Sequence, residues 1–328
     1  MPRASILGTG TAKGVAMIES TALDREHNFP VGHIERLTGV ARRPRADGTD
    51  QVELAAEAGL AALADAGLET GAIDAILHAA AVPYQTIPAT APLVQRALGL
   101  PDGRVTAHDI GATCLGFLAA LQHAAAMVEA GRWSRVLVVA AERVSENLDW
   151  RDPAAAALFG DGAGAAVVGH GPGGLIVGRV AMETHPSAYE AARVRAGGTR
   201  LGARAGADDM RFSMDGTALF ALTRRRFGSF VHRALDAAGL SMDDIDLIVP
   251  HQASPAALGL MARALRVSKD RLLDLSAVHG NLVAASLPVT LDHARRTGRI
   301  APGARVMMLG TAAGVTFGAA ILEADPYG

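Results

Sequence analysis

Three side chains in this sequence are suited to nucleophilic chemistry, and each lies beside a predicted buried element. Cys114 follows DIGAT and opens an apolar helix, where the positive end of the helix dipole should lower the pKa of its thiol and favour the thiolate. His251 ends a buried strand in DLIVPHQAS, at the strand end where α/β proteins place their sites. Asn281 precedes another helix in AVHGNLVAAS. A thiolate so placed could act in covalent catalysis, with the imidazole and the amide as its polar partners.

Each of these residues alone also has a structural explanation. A free cysteine is commonly a buried core residue, and a histidine after a strand can bond to the backbone of a turn. Gly-Asn is ordinary turn sequence. The choice between structure and function therefore depends on the elements that position the three residues.

Those elements form an internal repeat. ALADAGLETGAIDAIL at 62–77 resembles ALDAAGLSMDDIDLIV at 234–249, and at the same offset of 172 residues Cys114 falls on Ser286. In each half an apolar helix and two buried strands follow, predicted at 135–142 and 162–169 and again at 305–312 and 314–322. If the halves pack about a pseudo-twofold axis, Cys114, His251 and Asn281 converge near the centre.

The fold class predicted from this pattern is α/β, with two similar halves at 1–170 and 171–328. Buried strands such as RVLVV lack polar alternation, which indicates a sheet covered on both faces. The polar, glycine-rich stretch 184–212 is predicted to be a surface excursion between the halves. Residues 41–51 are predicted to be a second exposed loop.

Composition excludes several classes of function. The 328 residues carry 31 basic and 33 acidic side chains, so no basic excess suggests nucleic-acid binding. No apolar run approaches the roughly 20 residues of a membrane helix, and one cysteine fits a reducing compartment, so a cytoplasmic protein is expected. No cluster has metal-ligand spacing. The glycine-rich segments 7–14 and 159–168 lack a phosphate-loop pattern, which argues against a dinucleotide-dependent dehydrogenase.

Together, the Cys114 helix, FGDGAGAAVVG, VPHQAS, HGNLVAASLPVTLDHA and GTAAGVTFGAAIL resemble the ketoacyl-acyl-carrier-protein synthase III (KAS III) family of the thiolase superfamily. The resemblance runs through the whole chain. It implies a five-layered αβαβα thiolase-like fold, a homodimer, and no cofactor beyond thioester substrates. Asparagine as the third residue of the set points to KAS III or chalcone-synthase-like enzymes.

The resemblance also implies a mechanism. Cys114 takes an acyl group from acyl-CoA or an acyl carrier protein. His251 and Asn281 then stabilise the enolate formed when malonyl-CoA or the malonyl carrier protein loses CO2. The enolate attacks the acyl-cysteine in a Claisen condensation, with the N–H groups of Cys114 and Ala313 as the oxyanion hole.

Several positions depart from the familiar members of the family. Ala312-Ala313-Gly314 replaces Gly-Gly-Gly, and His33 and Leu37 stand where Trp and Arg hold the CoA adenine. Arg36 and Arg151 are candidates to replace them, and Arg36, Arg42, Arg43 or Arg45 could meet the phosphate end. Further substrate-binding positions are predicted, namely Ile87, Phe159, Gln252 and Ser286.

Ile87 falls where common members carry a bulky Phe that crosses the dimer and limits primer length, which hints at a primer longer than acetyl. Ala256 replaces an arginine that docks the carrier protein. A basic face could serve instead, formed by Arg224, Arg225, Arg226, Arg263 and Arg266. These departures suggest a specialised pathway, for a polyketide, a signalling molecule or a biotin precursor, as readily as fatty-acid initiation.

Two other functions stay open at this point. One is an acyltransferase that moves the acyl group from Cys114 to an alcohol, an amine or a carrier thiol without condensation. The other is a non-enzymatic scaffold subunit of a heterodimer, although such a partner would be expected to lose one of Cys114, His251 and Asn281.

Overall fold

The computed structural model describes residues 3–327. Its strands are β1 (Ser5–Thr11), β2 (Ala16–Glu19), β3 (Arg42–Arg45), β4 (Ala75–Ala79), β5 (Thr106–Ile110), β6 (Arg135–Glu142), β7 (Gly162–Gly169), β8 (Leu175–Thr184), β9 (Ala192–Arg193), β10 (Ser213–Met214), β11 (Leu247–Pro250), β12 (Arg305–Ala312) and β13 (Thr316–Ala324). Its α-helices are α1 (Ser20–Glu26), α2 (His33–Thr38), α3 (Gln51–Asp65), α4 (Ala91–Ala97), α5 (Gly116–Glu129), α6 (Pro153–Ala156), α7 (Gly216–Asp236), α8 (Pro255–Leu265), α9 (Ser276–His279) and α10 (Ser286–Arg296). No helix in this part of the chain is both long and apolar enough to cross a membrane.

Nine strands form one mixed sheet in the order β11-β12-β13-β8-β1-β7-β6-β4-β5. Within it, β1 and β8 meet over only two residue pairs, Ser5 with Ile176 and Ile6 with Leu175. On one side of this narrow junction lie strands from residues 5–169, and on the other side lie strands from residues 175–324. The sheet is thus two strand layers joined by a short link.

Alternating residues of one strand face different cores. In β6, Val136 and Val138 belong to a central core with residues of α5 and α10, whereas Leu137 and Val139 pack with α3. In the other strand layer, alternate residues of β12 likewise divide between the central core and an outer core with α7. The layers therefore run α3, strands, α5 with α10, strands, α7, which confirms the predicted α/β, five-layered fold.

Glycines in β1 permit the closest helix-strand contact. A Cβ at Gly8 would lie 2.5 Å from the Ala62 carbonyl oxygen, and a Cβ at Gly10 would lie 2.3 Å from the Ala62 nitrogen. Because no side chain fits there, α3 lies directly on the strand. The segment LGTGTAKG is thus largely a packed strand.

The two halves repeat an unusual turn. Single 3₁₀ turns, Thr113–Leu115 and Val283–Ala285, lead directly into α5 and α10. Their first residues have positive φ angles, 47° at Thr113 and 52° at Val283, a backbone region that β-branched residues rarely adopt. The offset of 172 between β4 and β11 falls to 170 at these turns. The counterpart of Cys114 is therefore Ala284, and the predicted pairing with Ser286 is wrong by two residues.

Two loop predictions also need correction. Residues 42–45 form β3, which pairs with β2, and Arg43 is 3% exposed. Only the middle of β3 is buried, at Arg43 and Pro44, whereas β2 is largely exposed. The stretch 184–212 follows β8 and so lies within the second group of strands, not between the halves. It holds three short 3₁₀ segments and the strand β9, which pairs with β10.

Candidate active site

Cys114 lies in the 3₁₀ turn immediately before α5 and is partly exposed. Two backbone N–H groups, its own and that of Ala313, act on the thiol so as to lower its pKa. Ala313 follows β12, and its carbonyl oxygen accepts a hydrogen bond of 3.4 Å from the Thr113 hydroxyl. These N–H groups of Cys114 and Ala313 are the two that were expected to form an oxyanion hole.

The electrostatics at Cys114 differ from the prediction. Burial raises the pKa of its thiol to about 12, and the charge of Glu142 acts in the same direction. The N–H groups of Ala313 and Cys114 only partly oppose this increase. The expectation that the helix end would lower the pKa is wrong, because desolvation and a neighbouring acid outweigh the helix dipole. The resting thiol is protonated.

His251 directly follows β11 and is 3% exposed. Its backbone N–H donates to the Leu309 carbonyl at 2.8 Å, and Nδ1 is buried without a hydrogen-bond partner among residues 3–327. Burial lowers the pKa of the imidazole to about 4, so the ring is neutral at physiological pH. A Cβ at Gly310 would lie 2.7 Å from the Cβ of His251 and 3.1 Å from Leu115, so this glycine lets the histidine approach the Cys114 turn.

Asn281 is buried at the turn before α10. Its Oδ1 accepts a hydrogen bond of 2.8 Å from the Val283 N–H, and its Nδ2 donates to the Ala253 carbonyl at 3.3 Å. These bonds fix the amide and leave its second Nδ2 hydrogen available as a donor. Gly280 before it has φ 61° and lies so close to Leu158 that a Cβ would be 2.6 Å from its carbonyl oxygen.

Apolar side chains cover one side of Cys114. The buried part of this group is formed by Val144, Phe159 and Val283. Phe212 packs against Phe159 with ring centroids 5.2 Å apart. Sequence reasoning missed Phe212, and the only available signal was an aromatic residue at the end of a polar, glycine-rich stretch. The group suits an acyl chain on the cysteine.

Two predicted substrate-binding residues form side-chain hydrogen bonds with the backbone around them. The amide of Gln252 donates to the carbonyls of Pro250 and Leu273 and accepts from the Leu275 N–H at 2.8 Å. The Ser286 hydroxyl accepts from the Leu282 N–H at 3.1 Å. Both side chains are buried. They therefore hold the loops that carry His251 and Asn281, and the prediction of direct substrate contact does not fit their position.

Residues expected at the CoA end lie on the surface. Arg36 is exposed and donates to the Val31 carbonyl. Arg151 is exposed and paired with Asp149 and Asp208.

The aromatic positions differ from the expected clamp as well. His33 stacks on Phe29 at 5.0 Å, and Leu37 is exposed. A second pair of aromatic rings, His27 and Trp150, is stacked with its ring centroids 3.7 Å apart.

The neighbouring arginines do not all remain available for a phosphate. Arg42 is exposed, but Arg43 is buried and donates to the Ala157 carbonyl at 2.8 Å. Burial lowers the pKa of Arg43 to about 10. Arg45 is paired with Glu26. The suggestion that Arg43 meets a phosphate is therefore wrong.

The residues predicted for docking and for primer length are exposed. Ile87 is 84% exposed in the loop between β4 and α4. Five arginines on or at the ends of α7 and α8 are exposed and have no carboxylate within 4 Å among residues 3–327: Arg224, Arg225, Arg226, Arg263 and Arg266.

Two buried acids were not anticipated from the sequence. Glu142 ends β6 and accepts hydrogen bonds from the N–H groups of Ala81 at 2.6 Å and Ala284 at 3.3 Å. Asp161 accepts from the N–H groups of Ala46, Val144 and Ser145. The available signal was an acidic residue next to an apolar strand, at the last position of β6 in RVLVVAAE and directly before β7 in FGDGAG.

A duplicated five-layered α/β fold, with a cysteine at the start of one central helix, a buried neutral histidine and a buried asparagine, defines a thiolase-fold condensing enzyme. Residues 108–186 match the family model of 3-oxoacyl-[acyl-carrier-protein] synthase III, and residues 235–324 match that of its C-terminal part.

Similar proteins carry the same description. The chain is 35% identical to beta-ketoacyl-[acyl-carrier-protein] synthase III 3 of Streptomyces coelicolor, over 98% of each chain. It is 36% identical to a synthase III of Rhodospirillum rubrum, covering 98% of this chain and 100% of that one. The crystal structure of the Aquifex aeolicus synthase III superposes with a TM-score of 0.88 at 30% identity, covering 98% of this chain and 99% of that one.

The chain therefore belongs to the 3-oxoacyl-[acyl-carrier-protein] synthase III family. It is an acyl-transferring condensing enzyme, which confirms the family expected from the motifs. The alternatives of a scaffold subunit and of acyl transfer without condensation are not favoured.

Proposed function

We propose that Cys114 is the nucleophile of a decarboxylative Claisen condensation. The observation that carries this proposal is the contact of the Cys114 turn with Ala313, through the Thr113 hydroxyl, where the N–H groups of Cys114 and Ala313 both act to lower the pKa of the thiol. A tetrahedral oxyanion formed at an acyl-cysteine would receive the same two donors. In the loading step the thioester carbonyl exchanges its first sulfur for Cys114, and the proton lost by Cys114 is balanced by the one that the departing thiolate takes up.

His251 and Asn281 are proposed to act in the second step. Both are neutral donors, and the oxygen of a malonyl thioester needs donors when CO2 leaves and an enolate forms. The enolate carbon then attacks the acyl-cysteine carbonyl, the new C–C bond forms, and Cys114 leaves as the 3-oxoacyl thioester is released. Transfer to an alcohol or amine would not use both donors.

The acyl primer is proposed to be longer than acetyl. The apolar group beside Cys114, with Phe159 and Phe212 in edge contact, offers a surface for an alkyl chain. Ile87 is largely exposed, which suits a position that a second copy of the chain covers. The proposal therefore includes a homodimer in which Ile87 reaches the partner's acyl pocket. A cytoplasmic role in fatty-acid biosynthesis fits the free thiol and the family.

Intact-protein mass spectrometry tests the central proposal. Wild-type protein and Cys114→Ala are incubated with acyl-CoAs and acyl carrier proteins of increasing chain length. A single acyl adduct on the wild type that is absent from the variant is expected, followed by CO2 release from a malonyl thioester. No adduct with any donor, or an adduct that survives Cys114→Ala, would refute the assigned nucleophile.

The exposed arginines of α7 and α8 are proposed to dock the acidic carrier protein. Charge reversal at Arg225 and Arg263 should raise KM for carrier-protein substrates about tenfold and leave KM for CoA substrates unchanged, because complementary charge steers only the protein partner. Arg132→Glu, at an exposed arginine after α5, is the matched control. An equal effect on both substrate classes would count against this docking face.

The division of the chain near residue 170 remains part of the proposal. It assigns Cys114 to the first half and His251 with Asn281 to the second.

A further inference from the structure

Glu142 is a buried acid beside the nucleophile that the condensation mechanism does not use. It is 0% exposed, at the last position of β6. No arginine, lysine or histidine lies within 4 Å of its carboxylate in the described part of the chain. Its hydrogen bonds come from three backbone N–H groups, of Ala81 at 2.6 Å, Ala284 at 3.3 Å and Val82 at 3.5 Å. A buried charge without a counter-ion is costly, so its position requires an explanation.

The three N–H groups belong to two segments that border the site. Ala81 and Val82 follow β4 and pack in the apolar group beside Cys114. Ala284 is the counterpart of Cys114 in the second half, and the N–H of the preceding Val283 holds the Oδ1 of Asn281. The Oε1 atom of Glu142 thus joins the wall of the acyl site to the turn that orients Asn281.

We propose that Glu142 is a positioning residue of the condensation site, which holds the Asn281 turn against the Cys114 turn and, through its own charge, governs how readily the Cys114 thiol ionises. This inference rests on the proposed role of Cys114. It adds a residue that contacts neither substrate nor the reacting atoms in the mechanism above.

The charge of Glu142 changes within an accessible pH range. Burial raises its pKa to about 8, the Asp161 carboxylate acts in the same direction, and the N–H donors of Ala81, Ala284 and Val82 oppose it. Other titratable groups face this region. His251 stays neutral above about pH 4, and Arg143 is directed to Glu146 at the surface. Glu142 is therefore the group whose ionisation between pH 7 and 9 adds a negative charge near Cys114.

The pH dependence of alkylation tests the charge. Cys114 is the only cysteine, so the rate of iodoacetamide labelling reports on it alone. Below pH 8 the rate should rise about tenfold per pH unit, as the thiolate fraction does. Above pH 8 the ionised Glu142 should flatten this rise, because the two acids titrate as a coupled pair. In Glu142→Gln the rise should continue to pH 10, with rates equal to the wild type at pH 7 and about tenfold higher above pH 9.

Two further variants separate charge from structure. Glu142→Asp keeps a carboxyl group and should keep the flattening above pH 8. Gln51→Leu is the matched control, because Gln51 Nε2 donates to the carbonyls of Val82 and Ala141, bracing the same loop without charge. It should also keep the flattening. The charge role would be overturned by a wild-type profile that rises steadily through pH 8. It would also be overturned by a Glu142→Gln profile that matches the wild type. If the Gln variant does not fold, the wild-type profile alone decides.

The positioning role of Glu142 is tested at pH 7, by comparing the rate of acyl loading with the rate of condensation. Glu142→Gln keeps Oε1 and should retain both steps within about threefold. Glu142→Asp, one methylene shorter, should load the acyl group within about twofold of wild type but condense about tenfold more slowly, since it no longer holds Ala284 and so loosens the turn whose Val283 N–H orients Asn281. Unchanged condensation in Glu142→Asp would overturn the positioning role. Alkylation needs no acyl substrate, so it remains informative even if Cys114 proves not to be acylated.

Discussion

At the scale of single residues, the site consists of groups that are kept uncharged. Burial raises the pKa of Cys114 and lowers that of His251, so one is a thiol and the other a neutral imidazole at physiological pH. Asn281 carries no charge at any pH. In the proposed mechanism, neutral donors would favour an enolate oxygen without pairing permanently with the carboxylate of the incoming malonyl group. Desolvation is thus the main means by which the residues are tuned.

Burial of neutral His251 predicts a loss of stability in acid. Its pKa is about 4 in the fold and about 6.5 in the unfolded chain, so between these values the unfolded state binds a proton that the folded state excludes. Stability should therefore fall as the pH drops from 7 to 5, by about 2 kcal/mol from this residue. Urea unfolding at both pH values, for wild type and His251→Gln, measures the difference. A variant that loses as much stability in acid as the wild type would contradict this origin.

At the scale of elements, the site depends on short turns and on unusually close packing. Cys114 and Asn281 are held by 3₁₀ turns at the starts of α5 and α10, and His251 by the end of β11. Glycines bring the layers together, at Gly8 and Gly10 against α3 and at Gly310 against His251. The position of each functional side chain therefore follows from backbone contacts that leave no space for a Cβ.

A methyl group at Gly10 should be strongly destabilising. Its Cβ would lie 2.3 Å from the backbone nitrogen of Ala62, and a helix cannot yield as a flexible side chain would. Gly10→Ala should cost about 3 kcal/mol of unfolding free energy. Gly71→Ala is the matched control, because a Cβ there meets nothing within 4 Å, and it should change stability by about 0.5 kcal/mol or less. If the two variants had the same free energy of unfolding, α3 would be able to move away from β1.

Many of these elements could be predicted from the sequence, and the predictions that failed did so for physical reasons. The strands 135–142 and 162–169 were predicted with their bounds because long apolar runs must be buried. The Cys114–Ser286 pairing failed because two residues fewer separate β11 from its turn. The pKa of Cys114 was misjudged because desolvation depends on neighbours distant in sequence, as does the contact of Phe212 with Phe159.

At the scale of the whole molecule, a buried polar network joins the two halves. The Thr9 hydroxyl of β1 donates to Asp292 of α10 at 2.8 Å and accepts from Arg295 at 2.8 Å. Arg295 also pairs with Asp65 of α3, and Arg296 donates to the carboxylate of Asp292. The central helix of the second half is thus fixed to the outer helix and first strand of the other half. The catalytic groups can converge only if this register is kept.

Removing the centre of the network should weaken the whole molecule. Asp292→Ala leaves the Thr9 hydroxyl and one side of Arg296 without an acceptor, which should lower the free energy of unfolding by about 2 to 3 kcal/mol. Asp236→Ala removes an exposed carboxylate paired with His232 on α7 and should cost about 0.5 kcal/mol or less. Chemical denaturation measures both. Equal, small effects would mean that the network adds nothing to the junction of the halves.

The protonated resting state of Cys114 also bears on the survival of the enzyme under oxidative stress. Peroxide oxidises the thiolate and not the thiol, so a cysteine with a pKa of about 12 is a poor target between catalytic cycles. Since no second cysteine is present to form a protective disulfide, an oxidised Cys114 could not be shielded within the chain. Keeping the proton until a thioester arrives would therefore spare the one sulfur on which the proposed acylation depends.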